Sequence, residues 1–322
     1  MTARSRISTP FTARTTATEI LQGVDLTDRR MIVTGGASGI GTETVRALAR
    51  AGAQVTIATR DPAAADALVA QFAGSERGAV RAAAIDLADL HSVDAFVADW
   101  DGPLHALVAN AGIMAIPTRQ LNAQGWELQL ATNYLGHFAL ARGLQANLKA
   151  AGDARVVIVS SGAHLAEPFD FDDPQFDRHP YDPWVAYGRS KTATVLLSTG
   201  IAGRWAGDGI TANALNPGYI NTGLQRHMDE ATLRHFGVLD DGGNRIDLPF
   251  YKTTAQGAAT TVLLAASPLV EGVTGRYFDD NQEAQVVDGG PQAKAGVAAH
   301  AVDQATADQL WAYAGRALAD IR

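Results

Sequence analysis

The chain has 322 residues, enough to bury one large core, and length alone allows one domain or two. Apolar residues make up 47% and charged residues 19%, as in soluble globular enzymes, while a formal charge of −8 excludes the basic stripe that a nucleic-acid binder needs. Cysteine is absent, which excludes disulfides, thiolate catalysis and cysteine metal sites, and no apolar run approaches the ~18 residues of a membrane span.

The N-terminal stretch from Met1 to Thr16 is polar, carries three arginines and lacks the apolar block of a secretory signal, so it is read as a disordered arm of a cytoplasmic protein. Beyond it, short β-branched runs alternate with alanine-rich helical stretches, the pattern of βαβ units around a parallel sheet. Strands are predicted at Met31–Thr34, Val55–Thr59, Val80–Ile85, Ala106–Ala109, Val156–Ser160 and Thr211–Leu215. Helices are predicted over Thr42–Ala51, from about Trp126 to Ala150, and from Tyr187 to Trp205. Gly289-Gly290-Pro291 ends the regular pattern; Asp303–Ile321 then forms an amphipathic helix with Ala307, Leu310, Trp311, Ala314 and Leu318 on one face. The expected architecture is α/β, a single doubly wound Rossmann domain with a parallel sheet over 26–290, preceded by an N-terminal arm (1–25) and followed by a C-terminal helical extension (291–322).

Thr34-Gly35-Gly36-Ala37-Ser38-Gly39-Ile40-Gly41 follows the first strand and opens a helix, where glycines let backbone N–H groups approach a pyrophosphate and the helix terminus adds positive charge. The spacing is G-x-x-x-G-x-G rather than G-x-G-x-x-G. The second strand ends at Thr59-Arg60-Asp61. Thr59 takes the place of the acid that would hold the 2′-hydroxyl of NAD, and Arg60 suits the 2′-phosphate of NADP, so NADP is favoured over NAD. Asp61 is the residue that would still reach a ribose.

With these residues in place the sequence resembles a short-chain dehydrogenase/reductase from about Leu26 to Gly290. The resemblance implies an adenine contact at Asp86-Leu87 and a sheet-supporting segment at Asn110-Ala111-Gly112. It also implies a nicotinamide clamp at Pro217, Gly218, Ile220 and Thr222, beginning from Asn216. Gly35, Ala37, Ser38, Gly39, Ile40 and Gly41 would cradle the pyrophosphate.

Tyr187-Gly188-Arg189-Ser190-Lys191 carries the chemistry, since Tyr187 and Lys191 lie one turn apart on a helix face. An ammonium about 5 Å away, at an effective dielectric near 20, favours the phenolate by roughly 3 kcal/mol, about two pKa units, with burial opposing. Ser160-Ser161 stands at the carboxyl end of a strand, where such sheets bind ligands. In the family the second serine orients the substrate oxygen, which assigns Ser161 and leaves Ser160 structural. Asn133 matches the family's helix asparagine, which bends its helix and holds a water beside the lysine. Tyr187 and Lys191 would also contact the cofactor.

Twenty-five residues separate Ser161 from Tyr187, more than in compact members. The insertion carries the acidic run Asp170, Asp172 and Asp173, read as an exposed loop with no metal. Together with the Thr15–Leu21 segment and the Leu310-Trp311 helix, it resembles the retinol-dehydrogenase-like branch. That branch implies reduction of ketones or aldehydes on bulky apolar molecules, reversibly, by a homodimer or homotetramer built on the two long helices. A substrate lid is expected over 222–252, with Met228, Leu233, His235, Phe236, Leu239, Phe250 and Tyr251; His164 and His227 are candidates to line the pocket. The expected partner is a small carbonyl or alcohol, with no nucleic acid and no membrane. The competing functions are a catalytically idle NADP-sensing interaction protein, which needs no Ser161, Tyr187, Lys191 or Asn133, and a nucleotide-sugar epimerase or dehydratase, which Arg60 and the apolar lid disfavour.

Overall fold

The computed structural model describes residues 5–319 apart from 229, 236–237, 241, 245 and 247. Eight strands form one sheet: β1 (Arg30–Thr34), β2 (Gln54–Thr59), β3 (Ala79–Ala84), β4 (Ala106–Ala109), β5 (Ala154–Val159), β6 (Ile210–Asn216), β7 (Arg276–Asp279) and β8 (Gln282–Glu283). Their order is β3-β2-β1-β4-β5-β6-β7-β8, parallel except for the final β7–β8 hairpin. The chain reverses direction across the sheet between β1 and β4, and the crevice past the carboxyl ends of those strands is where such sheets place ligands.

Period-2 alternation in the strands divides the core into two layers. Ile32, Val156 and Ile158 face the helices Leu90–Ala98, Gly136–Gly143 and Pro183–Trp205. Met31, Val33, Val157 and Val159 face Gly39–Arg50 and Ala259–Ala266. Both faces are covered, which is why these strands read as continuous apolar runs.

Three helix boundaries differ from expectation. The Tyr187 helix begins at Pro183, because Asp182 accepts hydrogen bonds from the N–H groups of Trp184 and Val185 and proline suits the first turn. The stretch predicted from about Trp126 to Ala150, with a bend implied at Asn133, starts at Leu128, capped by the Glu127 carboxylate. It passes through a π-turn at Ala131–Leu135 and breaks again at Leu144 before Gln145–Ala151. The C-terminal helix covers Gln304–Ala319; Ile321 lies outside the described residues.

The arm is not detached from the body. Ile7 and Glu283 exchange bonds, the Glu283 carboxylate accepting from Ile7 N–H at 2.8 Å and Ile7 carbonyl accepting from Glu283 N–H at 3.1 Å. Gln282 Nε2 donates to Phe11 carbonyl at 2.6 Å, and Asn281 Nδ2 to Thr12 carbonyl at 2.8 Å. Thr16 and Glu19 form a capping box on the short helix Ala17–Ile20, which buries Ala17 and Ile20.

The C-terminal helix lies on Pro183–Trp205 and buries Ala307, Leu310, Ala314 and Leu318. Trp311 meets Phe138 edge-on at 4.9 Å and Trp205 at 5.5 Å, and Gly200 gives its ring room. This chain therefore covers, with its own terminus, a face of the two helices on which assembly was expected.

The acidic loop is not simply exposed. Asp173 is buried and its carboxylate accepts the N–H groups of Asp177, Arg178 and His179, so it organises the loop from inside.

Candidate active site

The glycine turn has the shape a dinucleotide requires. Gly35 (φ +67°) and Gly39 (φ +55°) use left-handed backbone, and a Cβ at Gly41 would sit 2.3 Å from the Gly35 carbonyl oxygen. Ser38 precedes the Gly39–Arg50 helix without capping it by its side chain. Ala37 and Ile40 pack beneath on the core. Asn110 Nδ2 donates to Thr34 carbonyl at 2.8 Å, while Thr34 Oγ1 accepts from the N–H groups of Asn110 and Ala111 at 2.9 and 3.0 Å. Asn110-Ala111 thus locks β4 to the turn. Thr222 stands opposite Gly39, and Gly218 (φ +92°) and Ile220 lead from the end of β6 past Pro217 to the same rim. At the end of β2, Arg60 is exposed and has no ion-pair partner among the described residues. Asp61 caps the following turn, its Oδ1 accepting from Ala63 N–H at 3.1 Å. Asp86 accepts from Ala88 N–H, holding the β3 exit turn, and Leu87 packs under the π-turned helix, its carbonyl 2.1 Å from where a Cβ at Gly136 would lie. These residues fit a dinucleotide bearing an additional phosphate on its adenosine ribose.

Ser161, Tyr187, Lys191 and Asn133 converge past β5. The Ser161 side chain lies near enough to the Tyr187 phenol to pull its pKa down, and its Oγ accepts from Ala163 N–H at 3.2 Å. Lys191 Nζ lies 5.7 Å from the Tyr187 ring centre and donates to Val159 carbonyl at 3.1 Å. Ser160 turns away and donates to Lys191 carbonyl, the structural role expected of it. Asn133 Oδ1 accepts from Ile113 N–H, and its Nδ2 donates to Ile113 carbonyl and Ser190 Oγ. Gly112 leaves the gap into which both Asn133 Oδ1 and Lys191 Nζ project.

Electrostatics here depart from expectation. In the cofactor-free chain burial pushes the Tyr187 phenol up to about 12, with the Ser161 hydrogen bond pulling the other way, and burial pushes Lys191 down to about 8. Desolvation outweighs the attraction between the pair because both groups are sealed from water. Tyr187 is therefore a neutral phenol at neutral pH, the form that can give a proton.

Two histidines escaped their sequence reading. His164, a candidate to line the pocket, is fully buried with both ring nitrogens engaged. His137, not singled out at all, donates from Nδ1 to Asn133 carbonyl at 2.9 Å and accepts at Nε2 from Thr34 Oγ1 at 2.9 Å, so it ties the π-turn to the glycine turn. The four-residue spacing from Asn133 was its only signal. In the lid, Tyr219, Phe250 and Tyr251 cluster at the rim, with Tyr219 67% exposed; Phe236 and the side chains of His227 and His235 lie outside what is described. Among the described residues no group of three metal-ligating side chains converges, and no helix is long and apolar enough to cross a membrane.

Comparison with known proteins agrees with this geometry. The family model "short chain dehydrogenase" matches residues 29–232. A Streptomyces lividans protein named "Probable oxidoreductase" is 67% identical over 90% of this chain and 97% of its own length. Retinol dehydrogenase 12 of Bos taurus is 36% identical over 89% of this chain and 85% of its own. Among solved structures, one from Mycobacterium paratuberculosis superposes with a TM-score of 0.71 at 30% identity, covering 94% of this chain and 97% of that one. A gluconate 5-dehydrogenase from Burkholderia cenocepacia, in complex with NADP and tartrate, gives 0.60 at 25% identity, covering 80% of this chain and 95% of its own. The chain belongs to the short-chain dehydrogenase/reductase family, and it is a nicotinamide-dependent oxidoreductase of that family.

Proposed function

We propose that the protein is an NADP-linked carbonyl reductase that reduces a ketone or aldehyde on a bulky apolar molecule and, given the alcohol, runs in reverse. The observation that carries this reading is the convergence of Ser161, Tyr187 and Lys191 past the carboxyl end of β5, with Lys191 one helical turn from Tyr187 and its Nζ 5.7 Å from the Tyr187 ring centre. The free guanidinium of Arg60 supports NADP, as does the NADP held by the Burkholderia relative. NADPH, when bound, supplies the hydride.

Ser161 Oγ donates a hydrogen bond to the substrate oxygen and fixes the carbonyl. Tyr187 gives its proton to the same oxygen as negative charge develops there. Burial, which raises its pKa, keeps that proton in place at neutral pH. Lys191 offsets the charge left on the phenolate until Tyr187 regains a proton from solvent. The exposed rim Tyr219-Phe250 supports an apolar, bulky substrate.

NADPH consumption with a panel of aromatic and aliphatic ketones and aldehydes tests the reading. Turnover with bulky apolar members is expected, and Tyr187→Phe should lower it by on the order of a thousandfold or more with NADPH affinity kept. Firm NADPH binding with no turnover across the panel would instead favour a cofactor-sensing protein.

A further inference from the structure

His164 follows Ser161 by three residues, in the 3-10 turn Gly162–Leu165. The N–H of Ala298 points at its Nε2 at 3.2 Å. An amide can only donate, so Nε2 holds a lone pair and the ring proton sits on Nδ1. Nδ1 is 2.6 Å from the Ser161 carbonyl oxygen and donates to it. The tautomer is thus fixed by geometry, and burial, which drives the imidazolium pKa down to about 4, keeps the ring neutral.

Further bonds hold the same turn from the same side. His300 Nε2 donates to His164 carbonyl at 3.0 Å, and Gly290 N–H donates to Leu165 carbonyl at 2.7 Å. At Gly289 (φ +86°) a Cβ would lie 2.8 Å from Leu165 oxygen and 3.0 Å from Ala298 Cβ, so the two segments meet at closest approach. A short parallel ladder, Val286–Val287 with Val297–Ala298, carries the donor amide to its place. Residues 289–300 therefore grip the turn Gly162–Leu165 that Ser161 opens and caps.

We propose that His164 is a positioning residue for the reduction. Braced by Ala298 and His300 of the C-terminal segment, it fixes the Ser161 main chain so that the hydroxyl meets Tyr187 and the substrate oxygen together. The proposal rests on the role of Ser161 given above. The Ser161 carbonyl also accepts from His164 N–H at 3.3 Å and from the Tyr277 hydroxyl at 3.5 Å, but Nδ1 at 2.6 Å is the nearest of the three donors and its loss in a dry site is costly; a displacement of about 1 Å at a reacting group costs roughly a hundredfold in rate.

Steady-state kinetics at saturating NADPH, with NADPH affinity by fluorescence, provide the test in the full chain. His164→Leu should lower kcat about 10- to 100-fold and leave NADPH affinity within about twofold. His164→Asn, which can still donate from the position of Nδ1, should recover most of the loss. In a Ser161→Ala background His164→Leu should cost less than about threefold more, because the group it positions is gone. An undiminished loss in that background overturns the proposal and leaves the Ser161 reading intact. If Ser161→Ala alone keeps full kcat, both fall. Should His164→Leu fail to fold, the half-buried His300→Leu repeats the cycle: a several-fold loss of kcat that vanishes in Ser161→Ala supports the brace, and an additive or absent loss overturns it.

Discussion

Lys191 is buried as a cation-bearing side chain in a pocket that opposes its charge, and the cost is measurable. Its folded pKa near 8 lies below the unfolded value of 10.5, so at pH 7 the charged lysine destabilises the cofactor-free fold by on the order of 3 kcal/mol. Below pH 8 both states are protonated and the full penalty applies; as pH rises from 8 toward 10.5 only the unfolded state still holds the proton, and the penalty fades. Urea titrations should therefore find Lys191→Met more stable than wild type at pH 7 by a few kcal/mol while inactive, with the gap narrowing toward pH 10. A Lys191→Met chain less stable at pH 7 would contradict this. Tyr187 acts in the opposite sense only above pH 10, because its pKa is raised. Arg60 presents the other electrostatic case, an exposed cation proposed to meet the 2′-phosphate of NADP. Arg60→Ala should weaken NADPH binding about 10- to 100-fold, given that a charge-assisted hydrogen bond is worth roughly 1.5–3 kcal/mol, and leave NADH within about threefold. Equal loss for both would exclude the phosphate contact. The site itself was legible in the sequence because Ser161, Tyr187, Lys191 and Asn133 each stand in a short local pattern. The sense of the Tyr187 shift was not, since spacing reports the neighbouring charge but not how thoroughly the fold excludes water from both groups.

Elements read best where their pattern is local and worst where a cap or a buried polar group decides the boundary. The continuous apolar strands and the Ala307-Leu310-Ala314-Leu318 stripe were predicted because burial writes a period into the sequence. The start of the Tyr187 helix was not, although Asp182-Pro183 is a cap followed by a first-turn proline. Asp182→Ala should cost about 0.5–2 kcal/mol, seen as a lowered urea midpoint at constant slope. An unchanged midpoint would show that packing alone holds the first turn. The β7–β8 hairpin escaped notice because its turn is Asp280-Asn281, both with positive φ, rather than an Asn-Gly pair. The bend at Asn133 was implied by the resemblance, but its tertiary cause was not legible: in the π-turn Ala131–Leu135 the Asn133 carbonyl is taken by the His137 ring, and Gly136 lets the helix close on Leu87.

At the scale of the whole molecule, the C-terminal helix changes which surfaces are free. With Trp311 wedged against Phe138, Trp205 and Gly200, any homo-oligomer of this chain must use a surface other than this helix face. Truncation before Asp303 uncovers those side chains, and light scattering should show the shortened chain associating or aggregating where the full chain does not; identical behaviour of the two would argue against the cover. The Rossmann core was legible from alternation alone. The docking of both termini was not, because single long-range bonds such as Ile7 to Glu283 leave no periodic trace. That same arm also reaches the lid, where Arg14 donates to Tyr251 carbonyl at 2.6 Å and Gln256 Nε2 donates to Arg14 carbonyl at 3.0 Å. During synthesis, at roughly 5–20 residues per second, the arm is made before residues 281–283 and waits on the order of 15–60 s for them. The segment expected to cover the substrate thus takes support from a part of the chain made well before it, and that support forms only once the later segment has been made.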